Sequence, residues 1–115
     1  MDKVININKK LNKPKPHSRR KAQQIINELA LKSENISYTA HCKEQMLKRG
    51  FLYNDLIRML QEGIITKDPA YSEEKRSWKY KLDFLGFEGN RDAACVASIH
   101  KKGKLTAITV MWIDL

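Results

Sequence analysis

From Ser18 onward the apolar positions follow first a helical and then a strand period. Ala22, Ile25, Ile26 and Leu29 fall at i, i+3, i+4 and i+7, which places them on one face of a helix. The spacing predicts a first helix running from an N-cap at Ser18 to about Lys32. A short extension, Ile36-Ser37-Tyr38, leads to Thr39, which can cap a second helix through Arg49, closed by Gly50 as a left-handed residue. Asn54 can cap a third, Asp55 to Glu62, with Leu56, Ile57 and Leu60 inward and Gly63 at its end. Ile64-Ile65-Thr66 is a short apolar run stopped by Asp68-Pro69. From Trp78 the period falls to two, with Trp78, Tyr80, Leu82 and Phe84 alternating against Ser77, Lys79, Lys81 and Asp83. That is a strand with one apolar and one polar face. A turn at Gly86, Gly89 and Asn90, a strand from Ala93 to His100, a loop at Lys101-Lys102-Gly103-Lys104 and a last strand from Leu105 to about Ile113 complete the series. Helices followed by strands at hairpin spacing predict an α+β fold, with helices on one face of a twisted antiparallel sheet of three to four strands.

Length and charge add an arm and a class of partner. The 115 residues make one domain, taken as residues 18–115 behind a basic arm at 1–17, where Pro14 and Pro16 break any periodicity. The 22 Lys and Arg against 13 Asp and Glu leave a net charge of +9. Residues 1–21 hold eight of the bases and one of the acids, so +7 of that charge sits in the arm and at the start of the first helix. Such a block is either a solubilising tail or an electrostatic footprint for a polyanion. Arg19, Arg20 and Lys21 crowd the positive end of the first helix, where a phosphate would relieve them, and Lys43 and Lys48 add bases on the second. These five are the candidate nucleic-acid-binding residues. Nothing reads as a membrane span or a secretory signal. Cys42 and Cys95 make no disulfide framework, so a cytoplasmic protein is expected.

Dinucleotide, nucleotide-triphosphate and zinc-protease motifs are missing, and the His and Cys spacings do not suit a metal. No cofactor is expected. The remaining chemistry lies with bases and histidines. His41, in the first turn of the second helix, and Arg49, at its end, stand about 12 Å apart along the axis, a span that suits two ends of a nucleotide. An exposed histidine beside its cap and a dipole partner are the plainer readings of the same two residues. Lys79 and Lys81 share one strand face about 7 Å apart, near the phosphate spacing of a single strand, although a solvated lysine face gives the same pattern. His100, beside Lys101 and Lys102, is a second proton-transfer candidate or an ordinary hairpin residue.

The segment from Tyr38 to Gly50, with His41, Met46 and Arg49-Gly50, followed by Asp55-Leu56-Ile57 and Glu62-Gly63-Ile64, resembles a family of small bacterial and phage proteins of unassigned function. Looser likeness continues through Trp78-Lys79-Tyr80-Lys81 and the last two strands, covering roughly residues 36–113. The family is similar in layout to RelE/ParE-like toxins, within the barnase, EndoU, colicin and RelE grouping of metal-independent ribonucleases. Gln45 stands where many relatives carry Arg, which removes one phosphate ligand. The resemblance implies a toxin-type endoribonuclease acting on RNA, ribosome-associated mRNA included, and held by an acidic antitoxin. His41 would be acid or base, Lys79 and Lys81 would neutralise the scissile phosphate, Arg49 would brace a neighbouring one, and His100 would transfer the second proton. A non-catalytic nucleic-acid-binding protein and a phage or bacterial inhibitor module are the competing readings.

Overall fold

The structure, a computed structural model, describes residues 14–113. Lys3, Lys9, Lys10 and Lys13 of the expected arm lie outside the described residues. Helix α1 spans Arg19–Leu29, with the Ser18 hydroxyl accepting from the Lys21 N–H at 3.2 Å. It stops three residues short of the expected end, because the Asn35 side-chain amide donates to the Leu29 carbonyl and the chain turns through a 3₁₀ segment, Ser33–Asn35. Strand β1 is Ile36–Tyr38, helix α2 is Ala40–Arg49 and helix α3 is Tyr53–Glu62. Strands β2 (Ala70–Ser72), β3 (Ser77–Glu88), β4 (Arg91–His100) and β5 (Lys104–Trp112) follow.

Thr39 caps α2 as its sequence position requires, accepting from the Cys42 N–H at 3.0 Å, and Gly50 ends it at φ 76°. The start of α3 differs from expectation. Leu52 is the N-cap, and its N–H donates to the Asp55 carboxylate at 2.7 Å. Asn54 is therefore inside the first turn, since an acid at the third helical position satisfies the cap backbone without a polar residue at the cap itself.

Five strands form one sheet in the order β1-β5-β4-β3-β2. The expected sheet of three to four antiparallel strands is thus one or two strands larger and mixed. β1 pairs with β5 in parallel, Ile36 beside Leu105 and Tyr38 beside Ala107, whereas β2, β3, β4 and β5 are antiparallel neighbours. Ile64-Ile65-Thr66 is no strand. Ile64 makes a single bridge to Asp83, while Ile65 drops into the core.

One cluster holds the layers together. It joins Ala22 and Ile26 of α1, Cys42 and Met46 of α2, and Leu56, Met59 and Leu60 of α3 to Tyr80, Leu82, Cys95, Ala97, Leu105, Ala107 and Val110 of the sheet. In β3 and β4 those sheet residues share one parity, and in β5 a register shift after Ala107 brings Val110 back to the side of Leu105 and Ala107, so they line a single face and the helices cover it. Among the described residues, the opposite face, carrying Lys79, Lys81, Asp83, Val96, Ser98, His100, Thr106 and Thr109, has no helix of the cluster over it, although Ser98 there is buried. Among the described residues no helix is long and apolar enough to cross a membrane.

Candidate nucleic-acid interface

The uncovered sheet face is the first place where predicted residues meet. Alternation along β3 turns Lys79 and Lys81 outward on the same side, and the pair Lys81 with Val96 fixes their place beside β4. The adjacent pair, Tyr80 with Ala97, sets Lys79 next to Ser98, with His100 two residues further along the same face of β4. Diagonal neighbours on adjacent strands are roughly 7–8 Å apart, within reach of a long side chain. His100 Nε2 lies 2.6 Å from Thr106 Oγ1 on β5, a hydrogen bond whose direction follows the ring tautomer. Lys81 faces Asp83 at 3.9 Å, and Asp83 also accepts from the Thr66 hydroxyl at 2.9 Å. Lys79 has no ion pair among the described residues, which leaves its charge free for a ligand.

His41 and Arg49 do not join this group. His41 is exposed at the first turn of α2, where the chain leaves β1 alongside β5. Reaching β3 from β1 crosses three strand spacings, about 14 Å at roughly 4.8 Å each, so His41 does not share a phosphate with Lys79 or Lys81. Arg49 is held elsewhere. Its guanidinium donates to the Val110 carbonyl at 2.9 Å, and its own carbonyl accepts from the Trp112 indole N–H at 3.0 Å. It fastens the end of α2 to β5. Lys43 and Lys48 are exposed on α2, Arg20 and Lys21 on α1, and Arg19 pairs with Asp68 at 2.9 Å on the surface.

A second concavity was not foreseen. A groove of about 570 Å³ opens between α1, the segment leading into it, the start of β3 and the β4–β5 hairpin. Lys15, His17, Lys75, Arg76, His100 and Lys101 contribute to its lining, Trp78 and Tyr80 form an aromatic wall, and among the described residues no carboxylate lines it. The lead-in is tied down there. The Trp78 indole N–H donates to the Pro14 carbonyl, and the His17 N–H donates to the Tyr80 hydroxyl at 3.0 Å. Residues 14–17 therefore pack on β3. Only the Trp-Lys-Tyr-Lys alternation bears on it, by setting Trp78 and Tyr80 on the core-facing row of β3.

The cysteines are core. Both are fully buried; burial pushes the Cys42 thiol up to about 11, and burial with the neighbouring Cys42 and Asp83 pushes Cys95 up further. Neither is an activated nucleophile, since reactivity needs the thiolate.

Comparison with known protein families matches residues 38–112 to DUF4258, a domain of unknown function. The chain belongs to the DUF4258 family. No curated protein matches the chain, and no solved structure does. The DUF4258 segment runs from the end of β1 to the end of β5, so it contains His41, Arg49, Lys79, Lys81 and His100. Helix α1 and the lead-in fall before it. The basic groove is consequently a composite, with Lys75, Arg76, Trp78 and Lys101 from the DUF4258 segment and Lys15, His17, Ile25 and Leu29 from the residues that precede it.

Proposed function

We propose that this protein binds single-stranded RNA across the uncovered sheet face and cleaves it there without a metal, by attack of a 2′-hydroxyl on the adjacent phosphate. The observation that carries the reading is the meeting of Lys79, Lys81 and His100 on one solvent-facing surface of a protein with a net charge of +9. The sequence resemblance to RelE-type toxins implies the same chemistry. In that reaction a base takes the 2′-hydroxyl proton, the oxygen attacks phosphorus, and the 5′-oxygen leaves with a proton from an acid. In this reading His100, hydrogen-bonded to Thr106, takes the first proton. Lys79 neutralises the non-bridging oxygens, with Lys81 beside it partly compensated by Asp83, and a lysine ammonium or water supplies the second proton. The products are a 2′,3′-cyclic phosphate and a 5′-hydroxyl. An acidic protein laid over the same face would block it, as an antitoxin does.

The distance of His41 from the lysines favours a second reading, in which the bases hold phosphates and no bond is cut. Labelled single-stranded RNA incubated in EDTA with the wild type and with His100→Ala, Lys79→Ala and His41→Ala separates the two. Cleavage should fall at least about 100-fold in His100→Ala, the scale of one general acid–base group, while His41→Ala retains most of it. RNA that stays intact yet binds in a manner dependent on Lys79 establishes the non-catalytic reading. RNA that neither binds nor breaks overturns both.

A further inference from the structure

We propose that the groove between α1, β3 and the β4–β5 hairpin is a nucleotide pocket, taking one base against Trp78 and the attached phosphate on Arg76, Lys75 and Lys101. That the nucleotide belongs to an RNA strand rests on the reading above; the pocket for a base and a phosphate does not. Its volume, about 570 Å³, falls in the range of small-ligand sites. The lining divides into an apolar and aromatic wall, Ile25, Leu29, Trp78 and Tyr80, and a cationic rim that includes Lys75, Arg76 and Lys101. A flat π-face beside fixed positive charge is what single-stranded nucleic acid sites use.

Two features show that the wall is built in place. The Trp78 ring is held through its N–H to the Pro14 carbonyl and by edge contact with Tyr71 at 5.0 Å between centroids. Tyr80, 2% exposed, uses its hydroxyl to accept from the His17 N–H. Both bonds close the groove on the side of the lead-in, and neither uses a ring face.

The rim carries a backbone outlier. Arg76 stands at φ 51°, the one non-glycine residue in the left-handed region among those described. A side chain there costs energy that glycine would avoid, and such positions cluster at functional sites. The turn that contains it also holds Glu73 and Glu74, but Lys75 and Arg76 are its members that line the groove. The long guanidinium is kept where a glycine would suit the turn better, next to a wall suited to a base.

The test uses the full chain and adenosine 5′-monophosphate, which has no bond for a ribonuclease to cut, so its binding is read whether or not RNA is cleaved. In ¹H–¹⁵N spectra the nucleotide should shift the Trp78 indole N–H and the amides of Lys75, Arg76 and Lys101. Adenosine alone and inorganic phosphate alone should each bind roughly tenfold or more weakly, as loss of a charge contact or a stacked base predicts. Arg76→Gly suits the turn and should keep the fold and melting temperature while weakening the nucleotide by a similar factor. Lys79→Ala, on the uncovered sheet face, should leave it unchanged. Shifts confined to the sheet face, full affinity in Arg76→Gly, or inorganic phosphate binding as tightly as the nucleotide would each overturn the pocket.

Discussion

Gly50 and Gly63 each end a helix, and each is glycine for a different reason. Gly50 sits at φ 76° with open space around it, so its lack of a side chain serves the left-handed turn alone. Gly63 is extended, at φ −68° and ψ 159°, a conformation any residue adopts. A Cβ there would run into the Met59 carbonyl of α3 itself and stand 2.9 Å from the Leu82 Cβ, so the tight end of α3 and its closeness to β3 both exclude a side chain. The two buried thiols carry a pH dependence of known sign. Cys42 is shifted from 9.0 to about 11 in the folded chain, so the folded state prefers the protonated thiol more than the unfolded chain does. That contribution to stability is complete below pH 9 and is lost as the pH rises toward 11. Urea midpoints should therefore fall across that window, and Cys42→Ser should flatten the decline. Native protein at pH 8 should leave both thiols unreacted with a disulfide reagent.

At the scale of elements, the joint between β1 and α2 concentrates the most structure in one residue. The Thr39 N–H donates to the Ala107 carbonyl, extending the parallel pair. Its hydroxyl donates to the Ile108 carbonyl at 3.0 Å and accepts from the Cys42 N–H. Ile108 is the extra residue of a bulge in β5, since Val96 pairs with Thr109 and Ala97 with Ala107; a bulge leaves such a carbonyl without its strand partner. Thr39→Ala should cost about 1–2 kcal/mol in urea unfolding, and Thr39→Ser should recover most of it. Three helices and the β3–β4–β5 meander were legible in the sequence because each is long enough to show its period. β1 registered only as a short extension and β2 not at all, being three residues each, too short for alternation to show. The partner of β1 lies about seventy residues along the chain, beyond any local signal. The candidate site divides the same way. Lys79 and Lys81 share a face because one strand sets both, and His100 joins them through a strand pair that hairpin spacing implies. The separation of His41 and the groove beside Trp78 depend on how distant segments stack, which no local pattern records.

At the scale of the molecule, the two ends of the sheet use cations beside aromatic rings differently. Near the β3–β4 turn, Phe51 stacks on Trp112 with centroids 4.4 Å apart and Phe87 packs against both. Arg58 sits over Phe84 and Arg91 over Trp112, at 4.7 and 3.8 Å from the ring centres. Cations at that end are spent on rings. The other end, with the β4–β5 hairpin and the start of β3, holds the groove and its free bases. A single-stranded ligand crossing from the groove to Lys79 and Lys81 would meet about four phosphate-neutralising groups. Its association constant should then fall with salt at a log–log slope near −3, or about 50-fold between 50 and 200 mM. A slope near zero in a fluorescence-anisotropy titration would argue against that path.

The parallel edge pair also dictates an order of assembly. α2 is seated through Thr39 on Ala107 and Ile108, and through Arg49 on Val110 and Trp112, all partners supplied by the last strand. During synthesis the second helix thus leaves the translating machinery without the surface it needs, and waits for more than fifty further residues. Contacts so distant along the chain close slowly, and until they close Cys42 and Met46 stay wet. The docking of α2 is thus tied to the arrival of β5.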